Sequence, residues 1–287
     1  MATNSIHTAR LNRLFVFFAA AQVVVACFQT NAAASQPQPV SSIVQSLDGE
    51  WLLATDPKDE GRVQQWFKAS QPQAVPAKVP WIIQEAFPGY HGVVWYWRDF
   101  VTPANPHPRG RSLLRFWGVD FSAEVWLDGV PVGHHESGET PFVLDVTDAI
   151  KVGAPNHLAV RVLNPTHQPI DGLVLNQTPH QARQIPYSAG GAYNCGGIAD
   201  SVELLLAPAV RVEDLYVAPD PKTGLIRIEV NVRNATSETA HGRQMAAFGS
   251  MAAALFSAPP TPAIIFPSAS GCRMTRIWRA GICSMSK

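Results

Sequence analysis

From about residue 45 to residue 240 the apolar positions recur in short alternating runs, separated by Gly, Pro, Asn and Asp. Residues 225–233 alternate strictly, with Ile226, Ile228, Val230 and Val232 on one side and Arg227, Glu229, Asn231 and Arg233 on the other. A period of two predicts a strand with one wet face. Leu158, Val160 and Val162 repeat the pattern against Arg161, and Val202, Leu204 and Leu206 repeat it against Glu203. Residues 123–127 and 130–134 flank Asp128-Gly129, a pair that tolerates positive φ and so predicts a two-residue hairpin. Long segments of period 3.6 are absent, and helix is expected only in turns such as residues 147–151, where Thr147 or Asp148 would cap and Gly153 would terminate. An all-β sandwich or jelly roll follows. Residues 165–197 break the pattern with polar, Gly and Pro positions, and so long a connection in a compact sandwich is a candidate lining for a ligand site.

Composition adds a core and removes some partners. Of 287 residues 46% are hydrophobic, enough to exclude global disorder, and eight are Trp. Lys plus Arg equals Asp plus Glu at 22 each, so no basic surplus exists to neutralise a phosphate backbone, and nucleic acid is not an expected partner. The neutral total hides three segments: residues 1–34 carry +2, residues 35–243 carry −6 and residues 244–287 carry +4.

The first segment has Arg10 and Arg13, an apolar run over residues 14–27 interrupted by Gln22, and then Ala32, Ala33 and Ala34. A positive start, a short apolar stretch and a small-residue cleavage site make residues 1–34 a signal peptide, too short in its apolar run to span a bilayer as a helix. Export to the periplasm or the extracellular space is expected. Val24-Val25-Ala26-Cys27 also resembles a bacterial lipoprotein signal, so a lipid anchor at Cys27 is the alternative to soluble export. Cys195, Cys272 and Cys283 are widely spaced, without a C-x-x-C pair, and indicate neither a disulfide framework nor a zinc site. No metal and no cofactor is expected.

Taken in order, a series of short pieces resembles the N-terminal sugar-binding domain of glycoside hydrolase family 2, the group of β-galactosidases, β-glucuronidases and β-mannosidases. It begins with Leu47-Asp48-Gly49-Glu50-Trp51, Val79-Pro80-Trp81 and Tyr90-His91-Gly92-Val93-Val94-Trp95-Tyr96 leading to Arg98 and Phe100. It continues through Leu114-Arg115-Phe116, Gly118-Val119-Asp120, Val125-Trp126-Leu127-Asp128-Gly129, Pro141-Phe142 and Asp145-Val146-Thr147. Asn156 and Gly196-Gly197-Ile198 before Val202 close it. The resemblance implies a galactose-binding-like jelly-roll sandwich over residues 45–208 and the truncated start of an immunoglobulin-like sandwich over residues 209–243.

Residues 244–287 change character. They hold four of the five Met and two of the four Cys, no Asp or Glu, and the run Ala258-Pro259-Pro260-Thr261-Pro262 where strands of the second sandwich should continue. An aberrant or disordered tail, of the kind a frameshift produces, is the expectation, with a Pro-rich linker as the alternative.

In the resembled family both catalytic carboxylates come from a (β/α)8 barrel of about 250 residues, and no catalytic residue is expected in this chain. Retaining hydrolysis needs two carboxyl groups about 5–5.5 Å apart; Glu136 and Glu139 are the one nearby pair, and they read as solvated loop acids. The resemblance also implies that the loop before Gly196-Gly197 approaches substrate and lends it an Asp, yet residues 181–199 contain no acid. Asn194 and Tyr193, with Asp171 and His180 upstream, remain as carbohydrate-binding candidates, against loop-internal hydrogen bonding as the plain structural role. Trp95, Trp97, Trp51, Trp81, Trp117 and Trp126 are expected to pack the sandwich, with stacking on sugar C–H faces as the alternative. The expected function is the carbohydrate-binding portion of an O-glycosyl hydrolase for β-linked, β-galactosidase-like substrates. A separate catalytic chain that supplies the barrel is a candidate partner. A stand-alone weak carbohydrate-binding module and an inert truncated remnant are the alternatives.

Overall fold

Asp128 and Gly129 adopt the left-handed backbone their identities permit, with φ of 50° and 80°. The strands they join pair antiparallel, as the alternation requires. The computed structural model describes residues 42–138, 140–178, 194–220, 222–223, 225–242, 264–266 and 271–279. The signal peptide and Cys27 lie outside these residues.

The strands run, in chain order, β1 (Ile43–Ser46), β2 (Gly49–Thr55), β3 (Val75–Val79), β4 (Gly92–Val101), β5 (Arg111–Phe116) and β6 (Val119–Asp120). They continue as β7 (Ser122–Leu127), β8 (Val130–Glu136), β9 (Phe142–Asp145), β10 (Pro155–Asn164), β11 (Gly197–Ile198) and β12 (Val202–Ala207). Last come β13 (Val210–Asp220), β14 (Leu225–Asn234), β15 (Ala240–Gly242), β16 (Ile264–Phe266) and β17 (Gly271–Arg279). One four-residue helix, α1 (Ile83–Ala86), and single 3-10 turns at Trp66–Lys68 and Leu175–Gln177 interrupt them. Residues 147–149 form a turn.

Two sheets make the sandwich, one in the order β1-β12-β5-β9 and one in the order β3-β2-β4-β10-β7-β8. Their facing sides share one core, with Trp51, Val94, Tyr96, Leu158 and Val160 from the larger sheet against Leu114, Phe116, Leu204 and Leu206 from the smaller. The fold is all-β, as the periodicity predicts. A separate three-stranded sheet, β13-β14-β17, uses the strictly alternating strand as its centre and buries Ile228, Val230 and Val232. β17 pairs with β14 antiparallel, Leu225 opposite Arg279 and Arg233 opposite Gly271.

One expectation from alternation fails. Arg161 marks a wet face of β10 in the sequence, but its side chain is 1% exposed. The larger sheet is covered on both sides: a second cluster of Trp66, Trp95, Trp97, Trp126, Ala159 and Leu163 packs on the face turned away from the core. β10 lies between β4 and β7, so neither of its edges is free, and with a cluster packed on each face residues 158–164 are all buried. The connection after β2 folds down as the cover. Asp56 Oδ2 accepts from the indole of Trp95 at 3.0 Å and from Gly61 N at 2.8 Å, and the Trp97 indole donates to Trp66 O at 2.8 Å. The indole N–H groups of Trp95 and Trp97 thus each have a partner, as burial demands.

Candidate functional site

Asn164 ends β10, and its position continues the parity of Leu158, Val160 and Val162 toward the core side, where an apolar residue would be expected. It is fully buried. Asn164 Nδ2 donates to Asn194 Oδ1 at 2.8 Å, and Asn194 Nδ2 donates to Pro165 O at 2.7 Å. His91 Nδ1 lies 2.8 Å from Asn164 Oδ1 and 3.2 Å from Asn194 Nδ2. One nitrogen cannot donate to the first and accept from the second at once. The shorter contact assigns the hydrogen to Nδ1, which donates to Asn164, and leaves the longer one as packing. Gln84 completes the cluster by donating to Tyr90 O at 2.8 Å and to Asn164 Oδ1 at 3.2 Å.

The same corner is fastened by backbone. Trp81 N donates to Ile198 O at 2.9 Å, Ile83 N donates to Gly196 O at 2.8 Å, and Gly196 N reaches Gln84 Oε1 at 3.3 Å. Gly197 has φ of 130°, and a Cβ there would lie 2.8 Å from Tyr96 Oη and 3.0 Å from Trp81 O, so the close approach admits glycine alone. Burial raises the Tyr96 hydroxyl above its ordinary pKa, partly offset by a hydrogen bond with the Ile198 backbone. Tyr90, beside His91, is pushed up to about 12 by burial and by the charge on Asp56.

Asp171 sits elsewhere. It meets Arg161, whose odd position on β10 points to the opposite sheet face from Asn164. Arg161 Nη2 lies 2.7 Å from Asp59 Oδ1 and 2.9 Å from Asp171 Oδ2, while Arg161 Nη1 lies 2.9 Å from Glu124 Oε1. Arg62 bonds both Glu124, at 2.9 Å, and Asp171. Burial would raise the Asp171 carboxyl, but the Arg62 hydrogen bond and the charges of Arg161 and Arg62 hold it below the ordinary value. Asp171 thus ties the start of the long connection to the sheet. The structure brings it to a different corner from Asn194, and Tyr193 and His180 lie outside the described residues.

Of the six tryptophans expected to pack the sandwich, Trp51, Trp95, Trp97 and Trp126 are buried, whereas Trp81 is 47% and Trp117 is 40% exposed. Both exposed rings lie beyond strand ends, one after β3 and one after β5, where no second sheet covers them. Trp81 donates to Glu85 Oε2 at 3.2 Å and has Lys78 Nζ 5.4 Å from its ring centre. Trp117 donates to Glu203 Oε2 at 2.9 Å, and the Arg115 guanidinium lies 4.4 Å over its ring.

The Asn194 corner therefore sets the half-buried amides of Asn194 and Gln84, the exposed imidazole of His91 and the nearby exposed face of Trp81 around the buried, internally bonded Asn164. Such a set can hydrogen-bond and stack against sugar hydroxyls and C–H faces, but it contains no carboxyl pair for acid–base work. Glu136 ends β8, and Glu139 lies outside the described residues. Sequence reasoning missed Gln84, His91 and Asn164 as members of this corner. An Asn at an apolar-parity position of β10 was the one available signal.

Comparison with known proteins locates this arrangement in a family. The profile "Glycosyl hydrolases family 2, sugar binding domain" matches residues 44–208, more than half of the chain. Beta-glucuronidase of Canis lupus familiaris is 27% identical over 210 residues, covering 65% of this chain and 32% of that protein. Beta-glucuronidase of Paenibacillus borealis is 32% identical over 126 residues, 42% of this chain and 21% of its own length. The chain thus spans about a third or less of the curated relatives it matches. Among solved structures, Faecalibacterium prausnitzii beta-glucuronidase aligns with a TM-score of 0.54 at 25% identity, over 72% of this chain and 38% of that one. The Ruminococcus gnavus beta-glucuronidase in complex with C6-substituted uronic isofagomine aligns at 0.58 and 20% identity, over 85% and 40%, and shows the shared fold. With its sandwich, its glycine-fastened corner and the match over residues 44–208, the chain belongs to glycosyl hydrolase family 2 and carries that family's N-terminal sugar-binding domain.

Proposed function

We propose that this chain serves a family 2 enzyme that hydrolyses O-glycosyl bonds of β-linked sugars, with β-glucuronides as the substrate class. The observation that carries the reading is the match of the sugar-binding domain together with relatives that are beta-glucuronidases. In this reading residues 45–208 are the jelly-roll domain, residues 209–243 begin an immunoglobulin-like sandwich, and residues 244–287 are an aberrant tail. The catalytic carboxylates belong to a barrel outside these 287 residues, in a separate chain or a continuation of the gene. Residues 1–34 direct export to the periplasm or beyond, with lipidation of Cys27 as the anchored form. Metabolic labelling with a radioactive fatty acid separates the two, since a soluble exported protein takes up no label.

Incubating the purified chain with chromogenic β-glucuronide, β-galactoside and β-mannoside tests the main reading. No turnover is expected from the chain alone, and glucuronide cleavage is expected once the barrel is supplied. Turnover by the chain alone, or a galactoside preference in the assembled enzyme, overturns it.

The exposed rings of Trp81 and Trp117 favour a second reading, a stand-alone weak carbohydrate-binding module. Heat of binding on titration with sugar, without turnover and lost in Trp81→Ala or Trp117→Ala, selects that reading.

A further inference from the structure

A groove of about 570 Å³ lies between the outer face of the four-stranded sheet and the β13–β14 pair. Its volume falls in the small-ligand range of about 300–1,000 Å³. The floor is aliphatic, made by Val44, Leu113, Val143, Leu205 and Ala207, with Val44 and Val143 half exposed. The walls carry Arg115, Arg211 and Arg233 beside the carboxylates of Asp145 and Glu213.

Most of the charge in and around this groove is compensated. Arg111 Nε donates to Asp145 Oδ2 at 2.8 Å, and Arg115 reaches Glu203 Oε2 at 2.8 and 2.6 Å. Arg233 Nε lies 3.2 Å from both oxygens of Glu213. Arg211 is the exception. Its side chain is 13% exposed, its one ion-pair contact is 3.4 Å to the Glu213 that Arg233 already holds, and its Nη1 is buried with no hydrogen-bond partner. Burial lowers its pKa, the charges on Glu213 and Asp145 oppose that, and Arg233 and Arg111 add to it.

An unpaired buried N–H is a standing cost, and since Nη1 has no surface open to the groove, a ligand oxygen relieves it only as the Arg211 side chain turns toward the groove. A guanidinium meets a carboxylate as a planar fork, and the association strengthens away from water. We propose that this groove binds a small organic anion, a carboxylate on an apolar body, with Arg211 as the charged contact and the aliphatic floor beneath the body. The groove shares no lining residue with the Asn194 corner, and the proposal stands apart from the glycosidase reading.

Calorimetric titration of the full chain with 2-naphthoate and with its neutral analogue 2-naphthamide tests it. Naphthoate is expected to bind about tenfold or more tightly than the amide, the usual scale of one charged contact in a partly dry site. Arg211→Gln should erase that preference, and Lys58→Gln, the same charge change at an exposed site away from the groove, should leave it intact. Because the first variant also alters packing, Glu213→Gln provides a second arm: it removes the competing carboxylate and should tighten naphthoate. Equal affinity for acid and amide, unchanged binding in Arg211→Gln, or no tightening in Glu213→Gln overturns the proposal.

Discussion

Asn194 Oδ1 accepts a 2.8 Å hydrogen bond from Asn164 Nδ2, so the far end of the long connection is tied to the strand residue from which the connection leaves. Asn194 also donates to Pro165 O, the first residue of that connection. The loop closes on its own base, and its closing residues are neutral. This fixes the exit of the connection toward Gly196 and Gly197.

Asn164→Ala should remove the centre of that corner. His91 Nδ1 and Gln84 Nε2 lose a shared acceptor and Asn194 loses its donor, and a buried group left unpaired costs about 1–3 kcal/mol. Urea unfolding should show a drop of that size, with faster hydrogen exchange at Gly196. An unchanged midpoint would mean that water replaces the amide without loss.

Arg161 holds three carboxylates together from within a covered sheet, so its removal differs from that of its partners. Removing the buried cation costs up to about 3–5 kcal/mol, because Asp59 loses the guanidinium while Glu124 and Asp171 keep only Arg62. Arg161→Ala should lose stability on that scale and Asp171→Asn clearly less, since Asp59 and Glu124 still face the guanidinium. Thermal unfolding of both variants beside the parent checks the order.

Asp171 and Asp145 set the acid limb. Burial raises both carboxyls, but hydrogen bonds from Arg62 to Asp171, and from Arg111 and Thr147 to Asp145, leave both folded pKa values below 3.8. A carboxyl depressed on folding contributes stability that is complete above its unfolded pKa and is lost as pH falls through the folded one. Unfolding midpoints should therefore hold from neutrality to about pH 5 and fall below about pH 4. The double variant Asp145→Asn, Asp171→Asn should be less stable at pH 7 and show a shallower acid slope. A slope equal to the parent's would assign the acid limb to other groups.

Gly197→Ala should be destabilising by about 1–3 kcal/mol, the range for forcing extra volume into a packed site. The new Cβ meets Tyr96 Oη and Trp81 O while the backbone stays at a φ of 130°. Gly153→Ala is the comparison: its φ of 71° lies near the left-handed region that L residues tolerate and its Cβ position is open, so it should lose less. Equal losses at the two positions would show that neither the collision nor the more extreme φ at Gly197 adds a cost.

The strands and the hairpin were legible because a strand's two faces are written in its own residues. Ile228, Val230 and Val232 are buried where alternation places them, and the turn at Asp128-Gly129 follows from two residues that accept positive φ. The ordered pieces of the family resemblance were local too. Asn194 could be selected as a candidate from its place before Gly196, but its partner Asn164, and the His91 and Gln84 that bond Asn164 in turn, are remote in sequence, and no local pattern announces contacts across that separation.

The sequence by itself determined an all-β chain, its strand parity, its hairpin and its family, since each depends on neighbours along the chain. Tertiary structure alone decided that Arg161 is buried, that Trp81 and Trp117 are exposed, and that Asp171 and Asn194 occupy opposite faces of one sheet. The reason is physical. Whether a strand face meets water depends on what else folds over it, and here residues between β2 and β3 lay Trp66 and Phe67 over Trp95, Trp97 and Trp126 on the face that Arg161 marks as wet.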